Sequence, residues 1–288
     1  MPIEVANLTH TYMKGTTSEV TAISGISFRI DDGEFVGLIG ATGSGKSTLI
    51  QHLNGLLKPT SGKVMVDGVD IWSKGVSLKE VRRKIGLVFQ YPEQQVFEET
   101  VYDDIAFGPR NLGYSQTEVE SQVKKACALV GLAPDLLSRS PFELSGGQAR
   151  RVAIAGILAI QPKVLILDEP TAGLDPRGRT EILDNIKALH RNGMTVILVS
   201  HNMDDVARLC ERVMVLDRGK LVADGPAREV FSRREFLESM RLKPPEVTIL
   251  MEKLRKRGWA VRNDVLTVEE AYAEIVEELR RKGVAGAV

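Results

Sequence analysis

The sequence has few of the residues that mark secreted or metal-binding proteins. It contains two cysteines, Cys127 and Cys210, which lie in apolar, helix-like stretches, and it shows no Cys/His spacing typical of a metal site. Two buried free thiols are the expected outcome, and they suit a reducing compartment. Lysine and arginine total 38 and aspartate and glutamate total 38, so no basic excess indicates nucleic acid as a partner.

Long apolar runs are also missing. A membrane helix needs about 20 consecutive apolar residues, and even VAIAGILAI at residues 152–160 is far shorter. The amino terminus, MPIEVANLTH, alternates like a strand and has no signal-peptide pattern. We therefore expect a soluble chain that depends on other subunits for any membrane-spanning segment.

The sequence does show the alternation of strand-like and helix-like segments that is typical of an α/β protein. With 43% hydrophobic residues, the 288-residue chain can bury a sizeable core and form two domains. Short apolar runs alternate with amphipathic helical segments, which predicts a mostly parallel sheet. The predicted buried strands are EFVGLIG (34–40), KIGLVFQ (84–90), VLILD (164–168) and TVILVS (195–200). ISFRIDDGEF and GKVMVDGVDI resemble antiparallel strands joined by turns, and VMVLDRGKLVADG resembles a hairpin with its turn at residues 217–219.

Two segments depart from this alternation. Between Gln90 and Val164 the pattern is almost entirely helical, so we predict a helical insertion over about residues 91–162. After a core domain of residues 1–229, residues 230–288 read as a small helical extension. Its last helix starts with Thr267 and Glu270 in a capping-box relation. One apolar stripe runs along that helix, and it must pack either on the core domain or on another subunit: Val268, Tyr272, Ile275, Val276 and Leu279.

The segment GATGSGKS, residues 40–47, matches the P-loop pattern in its required context, because it follows a buried strand and opens a helix. Its glycines let backbone amides approach phosphate groups, Lys46 neutralises phosphate charge, and the Ser47 hydroxyl can reach Mg²⁺. The predicted nucleotide-binding residues of this stretch are Gly40, Ala41, Thr42, Gly43, Ser44, Gly45, Lys46, Ser47 and Thr48.

A second motif, VLILDEP, supplies the acidic partners of a P-loop. Asp168 ends a buried strand and can hold Mg²⁺, and Glu169 is placed to polarise a water molecule beside the terminal phosphate. Asp-Glu-Pro could also be a plain strand end in a turn. With a P-loop in the same chain, the catalytic interpretation is favoured.

A third motif, LSGGQ at residues 144–148, is a glycine-rich turn that opens an apolar helix. Ser145 and Gln148 form a capping-box pair, which could serve helix capping alone, but a capped helix start also presents N–H groups and a dipole to an anion. The loop contains no lysine, magnesium ligand or base. It cannot perform phosphate chemistry by itself.

These motifs, together with TAGLD and the histidine of LVSH, stand in an order and spacing that resemble the nucleotide-binding domain of ABC ATPases over about residues 3–228. The resemblance implies a P-loop NTPase fold that binds ATP and Mg²⁺. It implies that Gln90 contacts Mg²⁺ and the attacking water, that His201 hydrogen-bonds the terminal phosphate, and that Asp175 lies at a subunit interface. Tyr12 is placed to stack on adenine, although a strand-edge tyrosine is the alternative. His201 taken alone would be assigned to the core.

In that family the second loop faces the P-loop of another subunit, so two nucleotides are bound between two subunits. Ser145, Gly147 and Gln148 would then complete the partner's site rather than their own. The resemblance thus predicts a second ABC ATPase subunit, identical or related, as a partner.

The stretch FQYPEQQVFEETVYDDIAFGPRNLG, residues 89–113, indicates one subgroup within the ABC ATPases. It resembles ATP-binding subunits of energy-coupling factor (ECF) transporters, which import vitamins and cobalt or nickel and which also carry a C-terminal helical extension. The resemblance implies docking on a membrane-embedded coupling subunit, with a separate membrane protein that captures the substrate. It also favours dimerisation through the extension of residues 230–288, which would hold the ATPase pair together without nucleotide. The expected location is the cytoplasmic face of the cell membrane. No pocket for the transported substrate is expected in this chain.

Other classes fit less well. SMC-type ATPases separate the two nucleotide motifs by a long coiled coil, whereas about a hundred residues separate them here. Translation-associated ABC proteins usually fuse two such domains, and this chain has one P-loop. A non-catalytic module would be expected to have lost Lys46 or Glu169. The ATPase of a conventional ABC importer remains the alternative, and the membrane subunits that co-purify would distinguish the two.

Overall fold

The computed structural model describes residues 1–283, which form two sheets and eleven α-helices. The strands are β1 (Ile3–Tyr12), β2 (Val20–Ile30), β3 (Phe35–Ile39), β4 (Ser61–Val66), β5 (Val69–Asp70), β6 (Ile85–Val88), β7 (Val164–Asp168), β8 (Thr195–Val199), β9 (Arg212–Asp217) and β10 (Lys220–Pro226). The helices are α1 (Lys46–Leu53), α2 (Leu78–Lys84), α3 (Val101–Asn111), α4 (Gln116–Val130), α5 (Gly146–Leu158), α6 (Pro176–Arg191), α7 (Met203–Leu209), α8 (Ala227–Ser232), α9 (Arg234–Ser239), α10 (Glu246–Lys256) and α11 (Val268–Arg281). The predicted α/β class is confirmed.

The larger sheet has six strands in the order β10-β9-β3-β8-β7-β6. Strands β6, β7, β8, β3 and β9 run parallel, and β10 is an antiparallel edge strand paired with β9. Every residue of β3, β7 and β8 is buried, because helices pack on one face of the sheet and the smaller sheet with α1 packs on the other, so each strand can be apolar along its whole length. This is why continuous apolar runs located these strands in the sequence.

The smaller sheet is antiparallel, in the order β2-β1-β4-β5. Ile30 of β2 lies opposite Ile3 of β1, and Val66 of β4 lies opposite Ile3 on the other side. The segment ISFRIDDGEF therefore does not form one antiparallel pair. Its first half is the end of β2, whereas its last residue begins β3 in the larger sheet, because β2 pairs with the preceding strand β1 instead of with β3.

The helices α3, α4 and α5 lie between β6 and β7 in the chain. Each starts at a side chain that accepts a backbone hydrogen bond, namely Thr100, Ser115 and Ser145. Their apolar faces join the core cluster that also covers one face of the larger sheet. This arrangement holds the LSGGQ loop at the N-terminal start of α5.

The extension, residues 230–283 in the described structure, packs partly on the core and partly on itself. Leu237, Leu242 and Leu266 belong to the main core cluster. A separate small cluster joins α10 to α11: Met251, Val261, Val265 and Ala271. Thr267 caps α11 by accepting from the Glu270 N–H, but the Glu270 carboxylate binds the Leu266 N–H and Arg228, so only half of the predicted capping box forms.

The predicted apolar stripe of α11 is only partly covered. Ile275 packs against the small cluster, and Val276 and Leu279 are half-buried. Val268 and Tyr272 are 68% and 56% exposed. Part of the stripe thus remains available for contact outside the chain. No helix within residues 1–283 is long and apolar enough to cross a membrane.

Candidate active site

The P-loop forms at the carboxyl end of β3, where residues 40–45 turn into α1. Gly45 has φ 104°, and a Cβ there would lie 2.7 Å from the Ala22 carbonyl oxygen, so this position requires glycine. The Lys46 Nζ donates to the carbonyl oxygens of Gly40 at 2.8 Å and Ala41 at 3.1 Å. Burial lowers the pKa of Lys46, and the Glu169 and Asp168 carboxylates oppose that shift. The loop presents an amine and the start of a helix to one space, as phosphate binding requires.

Asp168 and Ser47 provide hard oxygen donors next to Lys46. Asp168 ends β7 and is nearly buried, and the Ser47 Oγ donates to its Oδ2 at 3.2 Å. Burial is the largest effect on Asp168 and raises its pKa. No cluster of three or more His, Cys, Asp or Glu ligands occurs within residues 1–283. The pair nevertheless fits Mg²⁺, which is commonly held by one or two carboxylates together with substrate phosphates.

Glu169 directly follows Asp168 in an uncommon backbone conformation. Its φ is 51°, in the left-handed region that non-glycine residues rarely adopt, and its N–H donates to the Val199 carbonyl oxygen of the neighbouring strand at 2.9 Å. Backbone strain of this kind is held by the surrounding structure and concentrates at functional sites. The result is a nearly buried carboxylate directed into the cavity that the P-loop lines.

His201 lies across from Glu169, at the end of the next strand. Its Nδ1 is 2.8 Å from Glu169 Oε2, although most of the imidazole is exposed. A histidine that donates from Nδ1 to a carboxylate leaves Nε2 free for another partner. The predicted contact of His201 with a phosphate is untested, and the contact seen in the structure, with Glu169, is one the sequence analysis did not predict.

Tyr12 ends β1 at another side of the same cavity. Its hydroxyl is 3.2 Å from Thr48 Oγ1, and its ring packs edge-on against His10 at 4.5 Å between centroids. His10 in turn is 3.2 Å from the buried His52, whose Nδ1 is 2.7 Å from the Thr48 carbonyl oxygen. The sequence analysis assigned no role to His10 or His52. In the structure they fix the position of Tyr12.

Most of the predicted site residues line one cavity of 1120 Å³. The predicted residues that line it are Tyr12, Gly40, Ala41, Thr42, Gly43, Gly45, Lys46, Ser47, Thr48, Gln90, Asp168, Glu169 and His201. Ser44 does not line it, because its side chain points into the protein and its Oγ is buried without a hydrogen-bond partner within the described chain. Side chains from β1, β7 and the segments after β6 and β8 thus meet at the P-loop.

The second loop lies outside this cavity. Ser145 and Gln148 cap α5 reciprocally: the Gln148 N–H donates to Ser145 Oγ, and the Ser145 N–H donates to Gln148 Oε1. Asp175 caps α6 through the Gly178 N–H at 2.7 Å. A Cβ on Gly147 would meet only Leu174, at 3.9 Å, so the chain itself leaves room at this glycine. The four predicted residues Ser145, Gly147, Gln148 and Asp175 therefore do not contribute to the site of their own chain.

A buried arginine that the sequence analysis did not single out connects three of these segments. The side chain of Arg150 on α5 is 2% exposed, and it donates two hydrogen bonds to the Glu93 carboxylate, at 2.8 and 3.0 Å. Its third nitrogen donates to the carbonyl oxygens of Pro170 and Ala172. It thereby ties the helix after LSGGQ to the segment after Gln90 and to the loop after Glu169. The signal available in the sequence was a positively charged residue at a position of α5 where the helical periodicity predicts an apolar side chain.

Comparison with known proteins agrees with this geometry. Residues 23–172 match the family model described as ABC transporter. A protein of Caldanaerobacter subterraneus subsp. tengcongensis, named energy-coupling factor transporter ATP-binding protein EcfA2, is 57% identical over 281 residues, which cover 97% of this chain and 98% of that protein. The protein of the same name from Clostridium perfringens is 54% identical over 282 residues, which cover 97% and 99%.

Solved structures show the same fold. The structure of cbiO1 from Clostridium perfringens, described as part of the ABC transporter complex cbiONQ, gives a TM-score of 0.73 at 39% identity and covers 87% of this chain and 98% of that one. The dimeric ATP-binding cassette MJ0796 in a post-hydrolysis state, bound to ADP and Pi, gives a TM-score of 0.69 at 30% identity and covers 78% and 98%.

Proposed function

This chain belongs to the ABC transporter family, among the ATP-binding subunits of energy-coupling factor transporters, and we propose that its ATP hydrolysis drives an importer of vitamins or transition-metal ions. It is an ATPase whose activity is coupled to transport. The cavity in which the P-loop meets Asp168, Glu169, Gln90 and His201 is the observation that carries ATP hydrolysis, and the similarity to the EcfA2 proteins supports the importer.

ATP binds with its phosphates on the P-loop. The amides at the start of α1 and the Lys46 ammonium face the cavity, and they neutralise the phosphate charge. Ser47 and Asp168 are the residues that would hold Mg²⁺, and Gln90 lines the same cavity. Bound there, Mg²⁺ would neutralise part of the phosphate charge.

Glu169 acts as the general base. It is nearly buried, its backbone is fixed by the bond to β8, and its carboxylate is directed to the cavity. In this position it can accept a proton from the water that attacks the terminal phosphate. His201 orients the carboxylate through Nδ1, and its free Nε2 is available to the terminal phosphate.

The second loop serves a partner subunit. It lies outside the cavity of its own chain, it is exposed, and the capped start of α5 leaves N–H groups free for an anion. Ser145, Gly147 and Gln148 would therefore complete the ATP site of a second, related or identical, subunit, with Asp175 at the interface. Sites that need both subunits make hydrolysis dependent on dimer closure.

A shallow apolar cavity on the helical insertion is suited to the membrane-embedded coupling subunit. Its lining includes Phe97 and Phe107, which are exposed and pack edge-on at 4.9 Å between ring centroids, and its volume is 170 Å³. Gln95 lies in the same wall, three residues from Pro92, in the segment that follows Gln90. A coupling segment seated here would sense movement of Gln90 and of α5. The substrate-capture protein would join through that subunit, which places this chain peripherally at the cytoplasmic face of the membrane.

The extension gives the pair a contact that does not depend on nucleotide. Val268 and Tyr272 are exposed on α11, whereas its other face is held on the small cluster and by the Arg228–Glu270 ion pair. Large exposed apolar side chains in one patch mark interaction surfaces. We assign this patch to the second ATPase subunit.

The test of the proposed function is to isolate this chain from membranes and identify its partners by mass spectrometry. Recovery of a coupling subunit, a substrate-capture protein and a second ATPase supports an ECF importer. Recovery of a conventional permease pair with a soluble binding protein contradicts it. The same preparation should hydrolyse ATP, and Glu169→Gln should abolish that activity without dissociating the complex.

A further inference from the structure

A basic loop of the extension reaches the cavity of the P-loop. Residues 241–243 line this cavity together with Lys46, Glu169 and His201. The loop follows α9 and lies beside α7, which begins two residues after His201. The Glu246 N–H donates to Asp204 Oδ1 on α7 at 3.0 Å, so the loop is fixed on the His201 side of the cavity.

Arg241 occupies a backbone position that favours glycine. The Leu242 N–H donates to the Leu237 carbonyl oxygen and the Arg241 N–H to that of Glu238, both at 2.9 Å, and Arg241 has φ 61°. This is a Schellman ending, in which the left-handed residue is usually glycine. Five other helices of the described chain end in the same pair of hydrogen bonds, and all have glycine there: Gly55, Gly113, Gly131, Gly193 and Gly258. An arginine at this position costs backbone energy that a glycine would not.

Within residues 1–283, the Arg241 side chain forms no ion pair that would offset this backbone energy. Leu242 and Leu237 make the buried apolar contact of the motif, whereas Arg241 is exposed. No carboxylate within residues 1–283 forms an ion pair with Arg241. Lys243, two residues on, is instead paired with Glu246. Arg241 is therefore a cation at the wall of a phosphate-binding cavity without a charged partner in the described chain.

We propose that Arg241 binds the terminal phosphate of ATP held on the P-loop of its own chain. The inference rests on the proposed function, in which this cavity binds ATP. A guanidinium is suited to phosphate because its planar N–H donors match the phosphate oxygens. The location beside α7 and His201 directs it to the terminal phosphate rather than to the Tyr12 side, where adenine is expected.

The contact would couple the nucleotide to the extension. Leu242 anchors the loop in the main core, and α10 starts four residues later, at Glu246. ATP that holds Arg241 would stabilise the docked extension, and by linkage the docked extension would raise ATP affinity by the same factor. Since α11 presents Val268 and Tyr272, the contact would connect the state of the nucleotide to the proposed subunit contact.

The experiment compares nucleotide affinity in full-length Arg241→Gly and in the parent protein, by titration calorimetry with Mg²⁺ and either a non-hydrolysable ATP analogue or ADP. Affinity for the ATP analogue should fall about three- to tenfold, the range for losing one partly exposed charge-assisted contact. Affinity for ADP should change less than twofold. The melting temperature should stay equal or rise, since glycine relieves the backbone. Arg257→Ala, which removes an exposed charge of the extension outside the cavity, should leave both affinities unchanged.

A loss of less than threefold for the ATP analogue overturns the inference, as does an equal loss for both nucleotides. If Arg241→Gly weakens subunit association but leaves the affinity for the ATP analogue intact, the cation faces a partner protein and the inference is also wrong. Lys46→Ala distinguishes these failures from failure of the proposed function. If Lys46→Ala binds ATP as the parent does, the cavity itself is not the ATP site.

Discussion

The buried ion pair between Arg150 and Glu93 should contribute measurably to stability, and Glu93→Ala tests this. The substitution removes the carboxylate that accepts two of the guanidinium hydrogen bonds and leaves a positive charge whose side chain is 2% exposed. Breaking a buried pair from one side costs about 3–5 kcal/mol. Glu93 is partly open to solvent, and Arg150 keeps the carbonyl oxygens of Pro170 and Ala172, so we expect a smaller loss than that, about 2–3 kcal/mol.

The assay is thermal denaturation followed by circular dichroism. A loss of this size lowers the melting temperature by about 3–5 °C in a chain of this length. The control is Glu181→Ala, which removes a partly exposed carboxylate from two neighbouring arginines, Arg151 and Arg177, and should lower the melting temperature clearly less. Glu93→Leu combined with Arg150→Met should recover most of the loss, because no unpaired charge remains buried. Equal shifts for Glu93→Ala and Glu181→Ala would refute the reasoning.

Three further outcomes follow from the same geometry. Lys46→Ala should abolish hydrolysis and sharply weaken ATP binding measured by calorimetry, since the phosphate charge loses its buried cation; unchanged affinity would exclude the P-loop as the site. Gly147→Asp should block hydrolysis while each chain still binds ATP. If the subunit pairs with itself, mixing Gly147→Asp with Lys46→Ala chains should restore part of the hydrolysis through one intact composite site, and mixed dimers without recovery would count against the shared site. Val268→Ser combined with Tyr272→Ser should reduce nucleotide-free association on size exclusion without lowering the melting temperature; an unchanged elution volume would remove α11 from the interface.

The central strands and the P-loop could be predicted because their signals are local. A strand buried on both faces is a continuous apolar run, and β7 spans the predicted residues 164–168. Likewise, the P-loop pattern specifies its own strand and helix context. Family resemblance then assigned roles to Gln90 and His201, which neither spacing nor composition supports alone.

Other features depend on how separate segments pack together. β2 pairs with the preceding strand β1 and not with β3, which joins the other sheet, and the apolar pattern of ISFRIDDGEF does not show this division. In the sequence, Arg150 is one of two adjacent basic residues in an apolar helix. Only the fold shows which of the two binds Glu93. Arg241 is more than 190 residues from the P-loop in the sequence, so its place in the cavity depends on how the extension packs.

Steady-state ATP hydrolysis by Glu169→Gln tests the catalytic site most directly. The amide keeps the size of the carboxylate and can still approach His201, but it cannot accept the proton of the attacking water. Turnover should fall by at least about 10²-fold, the lower end of what a positioned base contributes, while ATP affinity is retained and an ATP-bound dimer accumulates. Glu80→Gln, an exposed carboxylate on α2, should hydrolyse ATP as the parent does. Turnover of Glu169→Gln within a few-fold of the parent would contradict its assignment as the base.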